Sequence, residues 1–443
     1  MTKPYVSILV SYILACLLAS QGAQLVHYFY KWVTTSESHG GGGGGRKWVD
    51  EHVHAYVNIA GPLLGVPKAA TSLLSGEMSD TAFIGTMGQV LESFYGRRLR
   101  KDLWTSWGSL WTMLPKGGDA LWGVGADMCS ERSPEDPMCP KSGPSPLLVM
   151  TEPNKEDWVT GMGENITPST GDNATQTPPV DAVLGEETVN ETLAATFTPP
   201  LNPVMKDFVA RKSHSLTETL DLLQSWGGGL GPDIFNAKMH TLHGKDSSSK
   251  AWHDPSRTPL PYVPNVRIYC FYGMGIETER AYYYKRNKEE HNSDDLAATP
   301  PTTAEPPAVL NADVVSEKQH VEYGIKKCDG DGSVPLLSLG YICADAWMRK
   351  DSGLNPSGAK VVTREYKHRA EFWVDDPMRG GPASADHVDI LGNREMMEDF
   401  LRVVTGFEAS TVNENRIWSD IEKISKQIND HPGGGIFARK WWR

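Results

Sequence analysis

At 443 residues the chain is too long for one simple domain, and its 39% hydrophobic and 22% charged residues describe a folded protein carrying polar insertions. A net charge of −12 without a basic stripe excludes a nucleic-acid binder, which needs clustered cations to neutralise phosphates. The six cysteines (Cys16, Cys129, Cys139, Cys270, Cys328 and Cys343) contain no C-x-x-C pair, which argues against a zinc site and against thioredoxin-like chemistry.

From the N-terminus, Val6 to Ala19 is apolar behind Lys3 and falls short of the ~20 residues a spanning helix requires. Two readings stand: a signal-peptide core with small residues at Ala19-Ser20, or a buried strand leading into a helix. Gly40 to Gly45 reads as a flexible loop tip. It is not a phosphate loop, because no Gly-Lys-Ser/Thr follows. Val53, Ala55, Val57 and Ile59 alternate as a strand does, and Gly61-Pro62 ends it. Residues 80–125 have a helical pattern with Trp104, Trp107, Trp111 and Trp122. The tryptophans serve either core packing or an amphipathic surface that meets lipid.

Residues 129–205 are rich in Pro, Ser, Thr, Asn and acids, and are expected to be disordered. Sequons at Asn165, Asn173 and Asn190 lie within them and favour a lumenal or extracellular location, where disulfides form. Helical spacing returns at 206–226, with Leu216, Leu220 and Leu223 on one face. Asn265 to Gly273 reads as a buried strand, 288–316 as a second disordered linker, and Ala359 to Tyr366 as another strand. A helix follows from about Asn393 to Val404, closed by Gly406. Strands alternating with helices give an α/β class, without internal repeats.

The stretch CDGDGSVPL sets Asp329 and Asp331 in a tight turn. A calcium loop fails here. A frame starting at Asp329 puts Val334 where the sharp-turn glycine belongs and Gly340 where a bidentate glutamate belongs. The other reading is a catalytic acid at the end of a strand, which requires a downstream histidine and an upstream nucleophile. His387, in SADHVDILGN, follows the next strand and precedes a helix, so Asp331 then His387 fits the last two places of a nucleophile–acid–histidine order.

The stretches YFYKWV, VNIAGPLLGVPKAATSLLSGEMSDT, MLPKGGDALWG, VRIYCFYGMGIETERAYYY, CDGDGSVPL and HVDILGN, spread from about Ser20 to Phe407, resemble the phospholipid:diacylglycerol acyltransferases of the lecithin:cholesterol acyltransferase family. The resemblance implies an α/β-hydrolase fold with a cap region and two disordered insertions, with Asp331 as the acid, His387 as the base and Asp329 as a turn residue. Ser333 replaces the threonine of the family's Gly-Asp-Gly-Thr-Val-Pro. Aligning on YFYKWV puts Ser20 on the nucleophile of Gly-His-Ser-Met-Gly, Gly22 on its closing glycine and Gln24 on a glutamine common in the family. The flanks Leu18-Ala19-Ser20-Gln21-Gly22 lack that motif's histidine, methionine and first glycine, and a small residue beside a signal-cleavage site is the rival reading of Ser20.

The family places a membrane anchor, early strands and an oxyanion-hole loop upstream of the matched region. The resemblance therefore implies the C-terminal part of such an enzyme, with a further upstream exon expected. The implied units are a hydrolase-core fragment with the nucleophile-position helix and the start of the cap (1–128), the sequon-bearing insertion (129–205), cap helices and a core strand (206–287), the linker (288–316), and a C-terminal core with the acid and histidine (317–443). A Cys270–Cys343 disulfide is also implied, against two buried free thiols. So is transfer of an acyl group from a phospholipid, through an acyl-serine, to diacylglycerol, giving triacylglycerol at an endoplasmic reticulum membrane with the catalytic part lumenal. No metal, nucleotide or other cofactor is required. The alternative is an inactive or phospholipase-like lipid-surface protein. At the C-terminus, Ile436, Phe437, Trp441 and Trp442 interleaved with Arg439, Lys440 and Arg443 suit a bilayer interface, against a frayed end.

Overall fold

A computed structural model describes residues 20–77, 96–123, 147–150, 213–226, 249–286, 308–371 and 380–430. In chain order the elements are α1 (Gly22–Thr34), α2 (Trp48–His52), β1 (Ala55–Ile59), α3 (Pro67–Ser75), α4 (Arg97–Thr105), α5 (Gly108–Thr112), α6 (Asp119–Trp122), β2 (Leu148–Met150), β3 (Ser213–His214), α7 (Leu216–Trp226), β4 (Arg267–Met274), β5 (Ile276–Arg286), β6 (Ala308–Leu310), β7 (Val321–Glu322), β8 (Ile325–Gly330), α8 (Leu336–Tyr341), β9 (Val361–Lys367), α9 (Arg394–Thr405) and α10 (Ile421–Asp430). The class is α/β, with two sheets. A three-stranded parallel sheet runs β1-β4-β9, and a second, mixed sheet runs β3-β2-β5-β8-β7 with β6 also on β5.

Parallel strands covered on both faces read as continuous apolar runs, and β4 does: Ile268 to Gly273 is buried throughout. Helix α1 covers this sheet because Ala23, Val26, Tyr30 and Val33 recur at helical spacing and are buried. Each such large apolar side chain removed from water contributes about 1.5–3 kcal/mol. Gly61 permits the close approach of α1 to the loop after β1, since a Cβ there would stand 2.5 Å from the Ala23 Cβ. Helix α9 starts and stops where its sequence dictates. The Asn393 side chain caps it by accepting from the Met396 N–H, and Gly406 closes it at φ +73°. The leucine stripe of α7, Leu216, Leu220 and Leu223, is buried.

Three expectations need correction. Residues 147–150 lie inside the stretch expected to be disordered, yet Leu147 is buried and β2 pairs in parallel with Leu148–Met150 opposite Tyr282–Tyr284. Likewise 308–315 falls inside the expected linker, yet β6 pairs with β5, and Ala308, Val309, Leu310 and Val314 are buried. Both are short apolar islands, LLVM and AVL, whose strand pairing a composition averaged over a long polar segment conceals. The glycine run is not a free loop tip: Gly42 and Gly44 donate to the Trp32 and Val33 carbonyls and so satisfy the open C-terminal end of α1. The rest of 129–205 and of 288–316, the Val6–Ala19 segment and the tail from Ile436 to Arg443 lie outside the described residues. Among the described residues, no helix is long and apolar enough to cross a membrane.

Candidate active site

Ser20 stands immediately before α1, and its N–H donates to the Ile59 carbonyl at the C-terminal end of β1 at 3.0 Å. Its φ is +56°, a left-handed conformation unfavourable for a residue with a Cβ. Ala60, just past β1, also has positive φ (+50°), and its N–H donates to Phe271 of β4. A sharp turn of this kind pushes a serine side chain out of the backbone run, as in a nucleophile elbow.

Asp331 follows β8. Its side chain is fully buried, and one carboxylate oxygen, Oδ1, accepts from the Ser333 and Val334 N–H groups at 3.0 and 2.7 Å. The other, Oδ2, is 2.7 Å from His387 Nδ1. The turn bends at Gly332, with φ +85°, and the Gly332 N–H donates to Thr278 Oγ1 at 2.8 Å. Asp329 does separate work: its carboxylate accepts from the Gly275 N–H at 2.7 Å, at the junction of β4 and β5.

His387 lies in the loop between β9 and α9, with its side chain 12% exposed. Several contacts hold that loop. The His387 N–H donates to the Asp331 carbonyl at 2.9 Å, the Ala385 N–H donates to His368 Nδ1 at 3.1 Å, and Asn393 Nδ2 donates to the Ser384 carbonyl at 2.9 Å. Ala385 packs on Gly273 of β4, where a Cβ would come within 1.8 Å of its carbonyl oxygen. The imidazole therefore reaches Ser20, with Nε2 2.7 Å from Ser20 Oγ. With Nδ1–H donated to the buried carboxylate, Nε2 is left to accept the Ser20 hydroxyl proton.

Residues 367 positions apart in the chain thus meet in one hydrogen-bonded line, Ser20–His387–Asp331. Cys270 of β4 and Cys343, beyond the acid turn, are bonded with Cα atoms 6.4 Å apart, inside the usual range of about 4.4–6.8 Å. The sequons at Asn165, Asn173 and Asn190 lie outside the described residues, as do Cys16, Cys129 and Cys139. Among the described residues no cluster of His, Cys, Asp and Glu side chains is arranged to hold a metal ion.

A second histidine shows how differently the fold treats an imidazole. His27 of α1 is buried, with Nε2 2.9 Å from the Thr258 carbonyl, and burial lowers its pKa to about 4. Lys116, buried in the MLPKGG stretch, donates to the Thr112 carbonyl, and burial lowers its pKa to about 8. Thr112 also accepts from Gln21 Nε2 at 3.1 Å, which ties α5 to the residue after Ser20. The sequence reading missed Thr278 and Gln21. Neither has a local motif, and only the strand register or the tertiary contact reveals its role.

The lecithin:cholesterol acyltransferase family matches residues 14–394. The chain is 31% identical over 411 residues to a phospholipid:diacylglycerol acyltransferase of Schizosaccharomyces pombe, a match covering 93% of this chain and 53% of the relative. It is 32% identical over 393 residues to the enzyme of that name from Saccharomyces cerevisiae, covering 88% and 48%. It is 30% identical over 437 residues to phospholipid:diacylglycerol acyltransferase 1 of Arabidopsis thaliana, covering 93% and 62%. The chain thus spans between about half and just under two thirds of the length of these curated relatives. The chain belongs to the lecithin:cholesterol acyltransferase family.

Proposed function

We propose that this protein is an O-acyltransferase of lipid metabolism that moves a fatty acyl group from a phospholipid to diacylglycerol. The observation that carries the reading is the single imidazole bridging Ser20 Oγ and Asp331 Oδ2 at 2.7 Å on either side. Ser20 Oγ attacks the ester carbonyl of the donor while His387 Nε2 takes its proton. The buried Asp331 carboxylate stabilises the imidazolium that results. In this reading the backbone N–H of Gln21, the residue after the nucleophile, supplies one hydrogen bond to the developing oxyanion. Collapse expels the lysophospholipid, which takes the proton from His387, and leaves an acyl-serine. The diacylglycerol hydroxyl then attacks the acyl-serine, giving triacylglycerol and free Ser20. Water in place of diacylglycerol would give a phospholipase instead.

The setting suits a membrane-borne substrate. Val388, beside the catalytic histidine, is 63% exposed, and Leu25, just over one helical turn from the serine, is 65% exposed. Leu99, Leu103 and Trp107, at fourth-residue intervals along and just beyond α4, are also exposed. The Cys270–Cys343 disulfide suits an oxidising compartment, such as the lumenal side of the endoplasmic reticulum membrane. The test is release of labelled acyl chains from phosphatidylcholine with and without diacylglycerol. Label in triacylglycerol only when diacylglycerol is present marks a transferase, and label in free fatty acid alone marks a lipase. No release by a folded chain would sink both.

A further inference from the structure

The side chain of the residue after the nucleophile makes contacts that the triad does not use. Gln21 stands where the Gly-His-Ser-Met-Gly motif carries methionine, so an amide replaces a thioether at this position. Its Nε2 donates to the Ser109 carbonyl at 3.0 Å and to Thr112 Oγ1 at 3.1 Å. Thr112 Oγ1 in turn donates to the Ser109 carbonyl at 2.7 Å, so the three groups close a small triangle on α5. A methionine could not build it, because a thioether has no N–H to give.

Helix α5 is itself held from its other side. The buried Trp111 donates from Nε1 to the Thr105 carbonyl at 2.9 Å, and Lys116 Nζ donates to the Thr112 carbonyl at 2.6 Å. The Met113 carbonyl accepts from the Val66 N–H, and the Leu64 carbonyl from the Lys116 N–H, both at 2.8 Å. The C-terminal end of α5 is thus seated on the loop that leaves β1. That loop begins one residue past Ile59, whose carbonyl accepts from the Ser20 N–H. The contacts form a ring. It runs from Ser20 to Ile59, along the loop to Val66, across to Met113, back through α5 to Ser109, and by way of Gln21 to the residue beside Ser20. Gln24, one turn further along α1, joins the helix to the Pro62 carbonyl of the same loop, and its Oε1 has no hydrogen-bond partner. It is Gln21 that carries the ring across to α5.

A left-handed residue with a Cβ persists only where its surroundings over-determine it. Ser20 is such a residue, at φ +56°, and its flanks supply neither the histidine nor the first glycine of the motif. The restraint must therefore come from contacts distant in the chain. We propose that Gln21 is a positioning residue: its side-chain amide, by closing this ring, holds the strained Ser20 turn so that Oγ stays aligned with His387. The role rests on the serine–histidine chemistry proposed above, and not on which lipid donates the acyl group. In that chemistry the residue that carries the tether is also the one whose N–H serves the oxyanion, so a slack turn would displace nucleophile and donor together.

The test labels the full chain with a fluorophosphonate. The reagent forms an Oγ–P bond at an activated serine, with fluoride leaving and the hydroxyl proton passing to His387. Gln21→Leu, close in size and without a donor, should label roughly tenfold more slowly than the wild type. Thr112→Val removes one acceptor of the triangle and should slow labelling about two- to threefold. The double variant should be no slower than Gln21→Leu alone, since both substitutions open the same ring. On a soluble short-chain ester the loss in Gln21→Leu should appear in kcat with KM unmoved, because the tether touches no substrate. Unchanged labelling in Gln21→Leu would overturn the role, as would a lower Tm without slower labelling or independent effects in the double variant. A wild type that does not label would remove the Ser20 nucleophile and the tether with it. A wild type that labels yet releases nothing from phosphatidylcholine would refute the acyl-donor reading, and the comparison of labelling rates would still decide the tether.

Discussion

Two sharp turns meet at His387, and the fold builds them in opposite ways. In the acid turn the positive φ falls on Gly332, a residue without a side chain, while Asp331 is fixed by hydrogen bonds to Ser333 and Val334. In the serine turn the positive φ falls on Ser20 itself. The acid needs only to be held still, so a neighbouring glycine can do the bending at little steric cost. The nucleophile must project beyond the backbone, so the residue that reacts is also the one that bends. Orientation at one turn comes from hydrogen bonding, and exposure at the other comes from strain.

The strongest way to break this comparison is Asp331→Asn. The amide keeps the shape, loses the charge and favours the wrong imidazole tautomer, so kcat for acyl release should fall roughly 10³–10⁴-fold. A loss smaller than about tenfold in folded protein would remove Asp331 from the triad. Next in size is the Cys270–Cys343 bond, which ties the central strand of the parallel sheet to the segment after the acid turn. Replacing both cysteines with serine should cost about 2–5 kcal/mol, read as a lower denaturation midpoint in urea. An unchanged midpoint would show that the two turns are held by packing alone.

Thr278→Val probes the acid turn more finely. It strands the Gly332 N–H, a loss of about 1–3 kcal/mol shared between stability and acyl release, and Thr278→Ser should restore both. Equal behaviour of valine and serine at this position would mean that the hydroxyl is not what holds the turn. The smallest effect has the opposite sign. Ser20→Gly should abolish acyl release yet stabilise the protein by up to about 1 kcal/mol, because glycine accepts φ +56° without steric cost. Lower thermal stability in Ser20→Gly than in Ser20→Ala would contradict the claim that strain resides there.

The acid turn was legible in the sequence because its parts are consecutive: the glycines, Asp331 and the following proline specify a tight turn and a helix start without outside help. The strand of β4 and the capped helix α9 were legible for the same reason. Ser20 was harder. Its flanking residues lack the usual elbow composition, and its geometry depends on Ile59 and His387, far away in the chain. Thr278 was not legible at all, since only its place in the β5–β8 ladder sets its hydroxyl against the acid turn. The islands at Leu148–Met150 and Ala308–Leu310 were hidden because each is only three residues long and borrows its order from β5.

One joint in the fold has no slack. Strand β4 belongs to the parallel sheet and β5 to the mixed sheet, yet only Gly275 separates them. The register of the acid's ladder is therefore inherited from the register of the sheet that carries the serine turn, with no loop between them to absorb an error. A single inserted residue here would turn β5 over and present the opposite side chains to β8. Between β2 and β3, and between β5 and β6, many residues of chain join one strand to the next, but the passage through Gly275 must keep its count.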